Sequence, residues 1–269
     1  MIEPMHIPHF DTASAPLAGA TLIITRPVGM SAAFAARARA LGGNPVVVPG
    51  LTLRAATDAT AARAALHAAH DAQVWIFTSP AAVRFAFQLA PDLTIDASSL
   101  AVCVGPGTAR ALGRYGVQAL VPQTSSDSEG LLALPDLAEM RGRRVALLCA
   151  PNGRDLIAAQ LRQRGAQVDA IHVYQRAVPR LTRRHFEAIE NSPGPLILLL
   201  SSAAALNYLS ALIPAPVWQR LQRQTLVASS ARLAALADAG GFENIVEADS
   251  AMPDDLLKAA ARALARHRL

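Results

Sequence analysis

Short apolar runs alternate along this chain with longer segments in which apolar residues recur every three to four positions. An unbroken apolar run of this kind is typical of a strand that is buried on both faces, and the wider spacing is typical of an amphipathic helix. The alternation therefore predicts an α/β fold with parallel sheets that helices cover on both faces. The strand-like runs are TLIIT (21–25), PVVVP (45–49), VWIFT (74–78), LAVCVG (100–105), ALVP (119–122), RVALLCA (144–150), VDAIHVY (168–174), LILLLS (196–201), TLVAS (225–229) and NIVEA (244–248).

This pattern occurs twice, because three pairs of segments match at offsets of 123 or 124 residues. The matches indicate a duplicated α/β unit. Two further segments, NPVVVPGLTLR and QVDAIHVYQRAVPR, are also equivalent, so the chain is either a tandem repeat or leaves one sheet and later returns to it. The three pairs are FTSPAAV at 77 with LSSAAAL at 200, VGPGTARALGRYG at 104 with ASSARLAALADAG at 228, and ITRPVGMSAAFAARARALGG at 24 with LCAPNGRDLIAAQLRQRGA at 148.

Composition narrows the class of partner. The chain has 269 residues, is 52% hydrophobic, carries a net charge of +5 and contains a single lysine, Lys258. Its arginines are mostly scattered singly and aromatic residues make up only 4%, so we do not expect nucleic-acid binding. No apolar run approaches the roughly 18 residues that a membrane span needs, and we expect no membrane contact.

The amino terminus and the cysteines bear on localisation. Residues 1–18 do not have the basic and apolar regions of a signal peptide, and we expect them to form a disordered tail. Cys103 and Cys149 each lie within an apolar run, which is typical of reduced cysteines in a protein core. We therefore expect a cytoplasmic protein.

Small and hydroxyl residues collect where predicted strands end and helices begin. In an open parallel sheet such corners lie at the carboxyl ends of the strands, where ligands bind, and helix N-termini offer N–H groups to anions. A single hydroxyl there is explained by helix capping, worth about 1 kcal/mol. Six corners together predict a site for an anionic small molecule. The corners are Thr25-Arg26-Pro27, Thr78-Ser79-Pro80, Gly105-Pro106-Gly107-Thr108, Pro151-Asn152-Gly153-Arg154, Ser201-Ser202 and Ser229-Ser230.

The sequence does not carry the usual signatures of metal or cofactor sites. The histidine pairs in HIPH and HAAH have no nearby Cys, Asp or Glu that would complete a metal set. GPGTARALG departs from the dinucleotide fingerprint because Arg110 stands where the third glycine belongs. We therefore expect neither a metal nor a cofactor. The substrate-binding candidates are Thr25, Arg26, Thr78, Ser79, Gly105, Gly107, Thr108, Arg154, Ser201, Ser202 and Ser229.

The order of the motifs resembles that of uroporphyrinogen-III synthases over essentially all of residues 19–265. The motifs are TLIITRP, VWIFTSPAAV, VGPGTARALGRYG, SEGLL and GRDLIAAQLRQRGAQVDAIHVYQRA, followed by a second strand that ends in serine. The resemblance implies two parallel-sheet α/β domains joined by a two-stranded linker, with a cleft between them. It also implies that NPVVVPG and IHVYQRA are the linker strands. The implied divisions are a tail (1–18), a discontinuous domain 1 (19–48 with 177–269) and domain 2 (49–176).

The activity that the resemblance implies is cyclisation of hydroxymethylbilane, a linear tetrapyrrole, to uroporphyrinogen III. Water is lost, the last pyrrole ring is inverted, and no cofactor is used. By motif position, Tyr174 matches the tyrosine implicated in loss of the hydroxyl, while Ser79 and Thr108 match residues that face the cleft. The chain departs from the family pattern at Arg232 and Ala203. Two small domains around a mobile cleft suit a monomer.

Two other classes of function stay open from the residues alone. One is a two-domain module that closes on an anion without chemistry. The other is an enzyme that uses a nucleotide or sugar phosphate on the same fold. The products formed from hydroxymethylbilane would distinguish the first from a synthase, and a nucleotide binding screen would reveal the second.

Overall fold

The structure is a computed structural model that describes residues 15–123, 125, 127–151 and 156–266. The chain divides into unit 1, which consists of Met1–Thr52 and Val178–Leu269, and unit 2, which consists of Leu53–Ala177. Within the described ranges, no helix combines the length and the apolar character needed to cross a membrane. The strands are β1 (Thr21–Ile24), β2 (Asn44–Val47), β3 (Thr52–Ala55), β4 (Val74–Phe77), β5 (Leu100–Cys103), β6 (Arg144–Cys149), β7 (Gln167–His172), β8 (Tyr174–Ala177), β9 (Leu196–Leu200), β10 (Thr225–Ala228) and β11 (Asn244–Glu247). The helices are α1 (Ala32–Ala40), α2 (Ala59–Ala68), α3 (Pro80–Leu89), α4 (Pro106–Gly113), α5 (Ser128–Leu132), α6 (Leu156–Gln163), α7 (Arg183–Glu190), α8 (Ala203–Leu212), α9 (Ala215–Gln222), α10 (Ala231–Ala239) and α11 (Pro253–Arg266).

The sheet of unit 1 has five parallel strands in the order β11-β10-β9-β1-β2. Every residue of β1 and β9 is buried, which explains why both strands are apolar almost throughout. Phe34 of α1 and Leu257 of α11 share a core cluster with Ile24 and Leu199. The carboxyl ends of β1, β9 and β10 therefore lie side by side at one edge of this sheet.

The sheet of unit 2 has four parallel strands in the order β5-β4-β6-β7. Successive residues of β4 point to opposite faces, as the pleat of a strand requires. Trp75 and Phe77 enter one core cluster, and Val74 and Ile76 enter the other. The two clusters explain the unbroken apolar run that predicts this strand.

The two sheets share one strand order, so the predicted duplicated parallel α/β fold is confirmed. Strands β5, β4, β6 and β7 of unit 2 correspond in order to β10, β9, β1 and β2 of unit 1. An isolated parallel bridge between Val102 and Leu120 extends the sheet of unit 2 on the side where unit 1 has β11. Residues 119–122, predicted as a strand, form no more than this bridge.

The prediction that NPVVVPG is a linker strand is wrong. Its residues 44–47 form β2, which pairs in parallel with β1 as an edge strand of the sheet of unit 1. The separate two-stranded sheet consists of β3 and β8 instead, and Gln175 Nε2 donates to the Ala55 carbonyl between them (3.3 Å). Strand β3 has the sequence TLRA, and each of its residues is at least partly exposed. No apolar run therefore predicts this strand.

The segment predicted as a tail is part of the fold at its carboxyl end. Leu17 is fully buried in the core cluster of unit 1, and its N–H donates to the Leu41 carbonyl (3.0 Å). The prediction of a disordered tail is therefore wrong for Leu17. Residues 1–14 lie outside the described residues.

Candidate active site

The first corner of unit 2 brings Ser79 and Tyr174 into direct contact. Strand β4 ends at Phe77, and Ser79 caps α3 because its Oγ accepts a hydrogen bond from the Ala82 N–H (3.1 Å). Tyr174 begins β8, 95 residues further along the chain, and its hydroxyl lies 3.1 Å from Ser79 Oγ. The contact links a helix N-terminus to the phenol that the sequence identifies as the catalytic candidate.

The ring of Tyr174 is also held in place. It stacks on the ring of Phe85, with the two centroids 5.7 Å apart and the planes within 9° of parallel. Phe85 lies one to two turns into α3 and is buried, so one helix provides both contacts to the tyrosine. Sequence reasoning missed Phe85, because an apolar residue on a helix is explained by core packing alone.

A pocket of about 360 Å³ within unit 2 borders Tyr174. Tyr174 is only 6% exposed and is one of the residues that line this pocket. A larger pocket, of about 450 Å³, lies at the amino ends of strands in unit 1 and contains none of the candidate residues. The polar residues that line the pocket at Tyr174 are Thr57, Asp58, His172, Tyr174 and Gln175.

The second corner of unit 2 adjoins the first. Gly105 precedes α4 with an extended backbone, and a Cβ placed on Gly107 would lie 3.7 Å from Pro80 Cγ and 4.0 Å from Arg110 Nη2. Thr108 is 3% exposed, and its hydroxyl makes no hydrogen bond within the described part of the chain. The structure therefore places Gly107 and Arg110 close to the corner that carries Ser79.

Two of the candidate threonines donate hydrogen bonds between neighbouring strands of the same sheet. The Thr25 hydroxyl donates to the Leu199 carbonyl (2.7 Å), and the Thr78 hydroxyl donates to the Leu148 carbonyl (3.0 Å). Each bond ties the end of one strand to its neighbour, in unit 1 and unit 2 respectively. Because their protons are already donated to protein carbonyls, these hydroxyls are not free donors for a ligand.

In unit 1 the serine corners are capped helix N-termini. Ser202 Oγ accepts from the Ala205 N–H and Ser230 Oγ accepts from the Leu233 N–H, both at 3.4 Å. The Ser229 N–H donates to the Leu200 carbonyl (3.1 Å), and Ser201 is half-buried beside it at the end of β9. The adjacent strand ends thus place these serines along one edge of the sheet.

Arg26 is engaged within unit 1. Its guanidinium donates to the Ala251 carbonyl and lies 5.3 Å from the centroid of the Phe34 ring. Burial lowers the pKa of Arg26 from its usual value. These contacts hold the loop before α11, a role that the sequence does not suggest.

Two arginines that the sequence analysis singles out remain, Arg154 and Arg232. Arg154 and the two residues before it lie outside the described residues. Arg232 is exposed in the first turn of α10.

Within the described ranges, no three His, Cys, Asp or Glu residues come together as a metal-binding group.

The fold and these corners define a class, that of proteins with two duplicated parallel α/β units and polar corners at the carboxyl ends of their strands. Comparison with known proteins identifies the family within that class. The family model described as "Uroporphyrinogen-III synthase HemD" matches residues 32–258, and the chain belongs to this family.

Individual relatives agree with the family model. The chain is 31% identical over 253 residues to the uroporphyrinogen-III synthase of Salmonella typhimurium, which covers 89% of this chain and 99% of the relative. It is 35% identical over 165 residues to the Escherichia coli enzyme of the same name, which covers 58% of this chain and 64% of the relative.

Solved structures show the same fold at low sequence identity. The uroporphyrinogen III synthase of Thermus thermophilus, as a triple mutant, matches with a TM-score of 0.57 at 20% identity, over 93% of this chain and 100% of that one. The enzyme of Helicobacter pylori matches with a TM-score of 0.58 at 12% identity, over 91% of this chain and 99% of that one.

Proposed function

We propose that this chain cyclises hydroxymethylbilane to uroporphyrinogen III, with loss of water and inversion of the last pyrrole ring. Family membership supports the reaction, and the contact between Ser79 and Tyr174 supports the position of its chemistry. The substrate is a linear tetrapyrrole with eight carboxylates. An anionic molecule of this kind suits the N–H groups that the strand-to-helix corners present.

Tyr174 is the proposed general acid for the departing hydroxyl. Ser79 Oγ already accepts the Ala82 N–H, so it has its own proton to donate to the phenol oxygen. The phenol proton is then directed to the substrate. The chain of donors runs from Ala82 N–H through Ser79 and Tyr174 to the leaving hydroxyl, and each bond in it strengthens the next.

In each turnover Tyr174 gives one proton to the departing hydroxyl and regains one when the ring closes. The C–O bond breaks with its electron pair on oxygen, and that oxygen takes the Tyr174 proton and leaves as water. The Ser79 hydroxyl and the positive end of α3 stabilise the resulting phenolate. Ring closure of the electrophilic intermediate on the last pyrrole releases one proton, which restores the phenol.

Beyond the proton transfer, the main task of the protein is to position the pyrroles of the substrate. The intermediate reacts without a protein nucleophile, so the enzyme must fix which carbon attacks. Cys103, at the end of the neighbouring strand β5, is buried, and burial raises the pKa of its thiol, which disfavours the nucleophilic thiolate. Covalent catalysis by Cys103 is therefore not part of the mechanism.

The substrate carboxylates are proposed to bind at the helix N-termini behind the corners. Donors there are the free N–H groups of the first turns of α3, α4, α8 and α10. The proposed binding residues are Gly105, Gly107 and Thr108 of unit 2, Arg154 of the same unit, and Arg26, Ser201, Ser202 and Ser229 of unit 1. Ser79 stays in the proposal as the residue that positions Tyr174, because its hydroxyl proton goes to the phenol oxygen. Thr25 and Thr78 stay in the proposal as residues that shape the corners, because their hydroxyls bond to carbonyls of neighbouring strands.

We also infer that the protein works as a monomer in the cytoplasm, without nucleic acid, membrane or cofactor. The scattered single arginines and the few aromatic residues support the absence of a nucleic-acid partner. Light scattering at micromolar concentration tests the monomer, and a mass of twice 28.2 kDa would contradict it.

The reaction is tested by following hydroxymethylbilane with and without the protein. The expected result is loss of substrate much faster than in buffer, with a cyclic product lighter by one water. A module that only binds the anion would leave the rate of closure unchanged or slow it. A nucleotide-dependent enzyme would do nothing until a nucleotide is added.

Replacing Ser79 with Ala is expected to lower kcat by about 10-fold, which corresponds to one lost hydrogen bond of about 1.4 kcal/mol. Loss of the α3 cap should also lower the free energy of unfolding by about 1 kcal/mol. Steady-state kinetics and denaturant unfolding measure the two effects.

A double variant separates a positioning role for Ser79 from a purely structural one. If Ser79 acts through the phenol, Ser79→Ala combined with Tyr174→Phe has the kcat of Tyr174→Phe alone. Ser79→Thr, which keeps the hydroxyl, should restore most of the activity. Multiplied losses in the double variant would contradict the proposed chain of donors.

A further inference from the structure

Arg84 lies on the ring that supports Tyr174. Its Cζ is 4.8 Å from the centroid of Phe85, and Phe85 in turn stacks on Tyr174. A guanidinium over an aromatic face is weakly attracted to it, and its N–H groups stay free to donate to a carboxylate. Arg84 therefore contacts the ring that stacks directly on the phenol that is proposed to give up its proton.

Arg110 approaches the same corner from α4. Its Nη2 would lie 4.0 Å from a Cβ on Gly107, and that Cβ would lie 3.7 Å from Pro80 Cγ. Pro80 is the residue after Ser79 and the first residue of α3. The guanidinium of Arg110 therefore bends back to the N-terminal turn of its own helix, beside the corner that holds Ser79 and Tyr174.

Neither arginine has an acidic partner within the described part of the chain. Two arginines of unit 2 do have one: Arg63 pairs with Asp92, and Arg144 pairs with both Asp71 and Asp169. Two unpaired cations beside two helix N-termini form a region of positive charge.

We propose that Arg84 and Arg110 each bind a carboxylate of the substrate next to the reacting end. The inference rests on the proposed function and deepens it, since it names side chains that the anionic substrate would contact. A planar guanidinium takes a carboxylate with two parallel N–H···O bonds, which fixes orientation as well as affinity. The two arginines thus fix the pyrroles near Tyr174 from the α3 side and from the α4 side.

The test uses Arg84→Met and Arg110→Met in the full chain, because Met keeps most of the apolar stem but has no charge. Each change is expected to raise KM for hydroxymethylbilane by about 10-fold and to leave kcat within about 2-fold, the effect of losing a charge-assisted bond in the bound ground state. Together they should raise KM by about 100-fold. Arg84→Lys and Arg110→Lys should recover part of the affinity.

Arg114→Met is the matched control. Arg114 is exposed at the C-terminal end of α4, one turn beyond Arg110, and removing it lowers the net charge by the same amount. Its KM should stay within about 2-fold of wild type, which separates local binding from long-range attraction of the anion. Far-UV circular dichroism on all variants confirms that they fold.

The outcomes separate this inference from the function it rests on. A wild-type protein that does not accelerate closure contradicts the proposed function. An active wild type with the same KM in Arg84→Met, Arg110→Met and Arg114→Met contradicts the inference alone. A loss of kcat at unchanged KM in Arg84→Met would also overturn it, because Arg84 would then act only by supporting Phe85 and Tyr174.

Discussion

Tyr174→Phe is expected to lower kcat by about 10²-fold, the lower end of what a general acid contributes. The variant keeps the ring that stacks on Phe85 and loses the hydroxyl that contacts Ser79. Because the packing survives, the free energy of unfolding should fall by no more than about 1 kcal/mol. Steady-state kinetics with hydroxymethylbilane and a thermal melt measure the two quantities.

Tyr115→Phe is the control for this change. Tyr115 belongs to the same unit and stacks on Phe87 with the centroids 4.0 Å apart, but it is 45% exposed. Removing its hydroxyl should leave kcat unchanged. If Tyr174→Phe also turned over at the wild-type rate, Tyr174 would not be the acid.

Trp75→Ala is expected to lower the free energy of unfolding by about 3–5 kcal/mol, the cost of a cavity left by a large buried side chain. Trp75 is fully buried on β4, in the core cluster that also contains Phe85 and Tyr174. Its indole Nε1 has no hydrogen-bond partner among the described residues. An unpaired buried N–H is unfavourable by about 1–3 kcal/mol relative to a paired one.

Trp75→Phe separates these two effects. Phe removes the unpaired N–H while keeping an aromatic ring, so relief of the polar penalty offsets much of the lost packing, and the cost should be under about 1.5 kcal/mol. Denaturant unfolding followed by circular dichroism measures both variants, and the fluorescence of Trp218 reports on unit 1 alone once Trp75 is gone. A Phe variant as unstable as the Ala variant would contradict an unpaired indole.

The central strands could be predicted because burial on both faces leaves an apolar run. This holds for β1, β4 and β9. Strand β3 has no such run, because its residues are half-buried or exposed. The role of residues 44–47 could not be read either, since an edge strand and a linker strand show the same mixture of apolar and polar positions.

In the candidate site too, some features follow from the local sequence and others depend on the fold. A hydroxyl residue between a strand and a helix predicts a cap, and Ser79 and Ser202 are caps. The contact of Ser79 with Tyr174 depends on where β8 lies relative to the first turn of α3, which no local pattern encodes. Thr25 and Thr78 look from the sequence like ligand donors, but a carbonyl of the neighbouring strand lies within reach of each hydroxyl.

Arginines were the hardest residues to interpret from sequence. Arg26, predicted to contact substrate, donates to the Ala251 carbonyl and lies over Phe34. Arg84 and Arg110, which no motif singles out as binding residues, lie beside the Ser79 corner without an acidic partner in the described chain. Long flexible side chains acquire their contacts only in the folded protein, so sequence position says little about them.

The most direct test of the proposed reaction is the isomer that the protein makes from hydroxymethylbilane. Spontaneous closure gives the type I product, whose last ring is not inverted, and chromatography separates it from type III. We predict almost only type III with the wild-type protein, and a growing share of type I with Tyr174→Phe as uncatalysed closure overtakes the slowed enzyme. Type I alone, formed at the rate seen in buffer, would contradict the account.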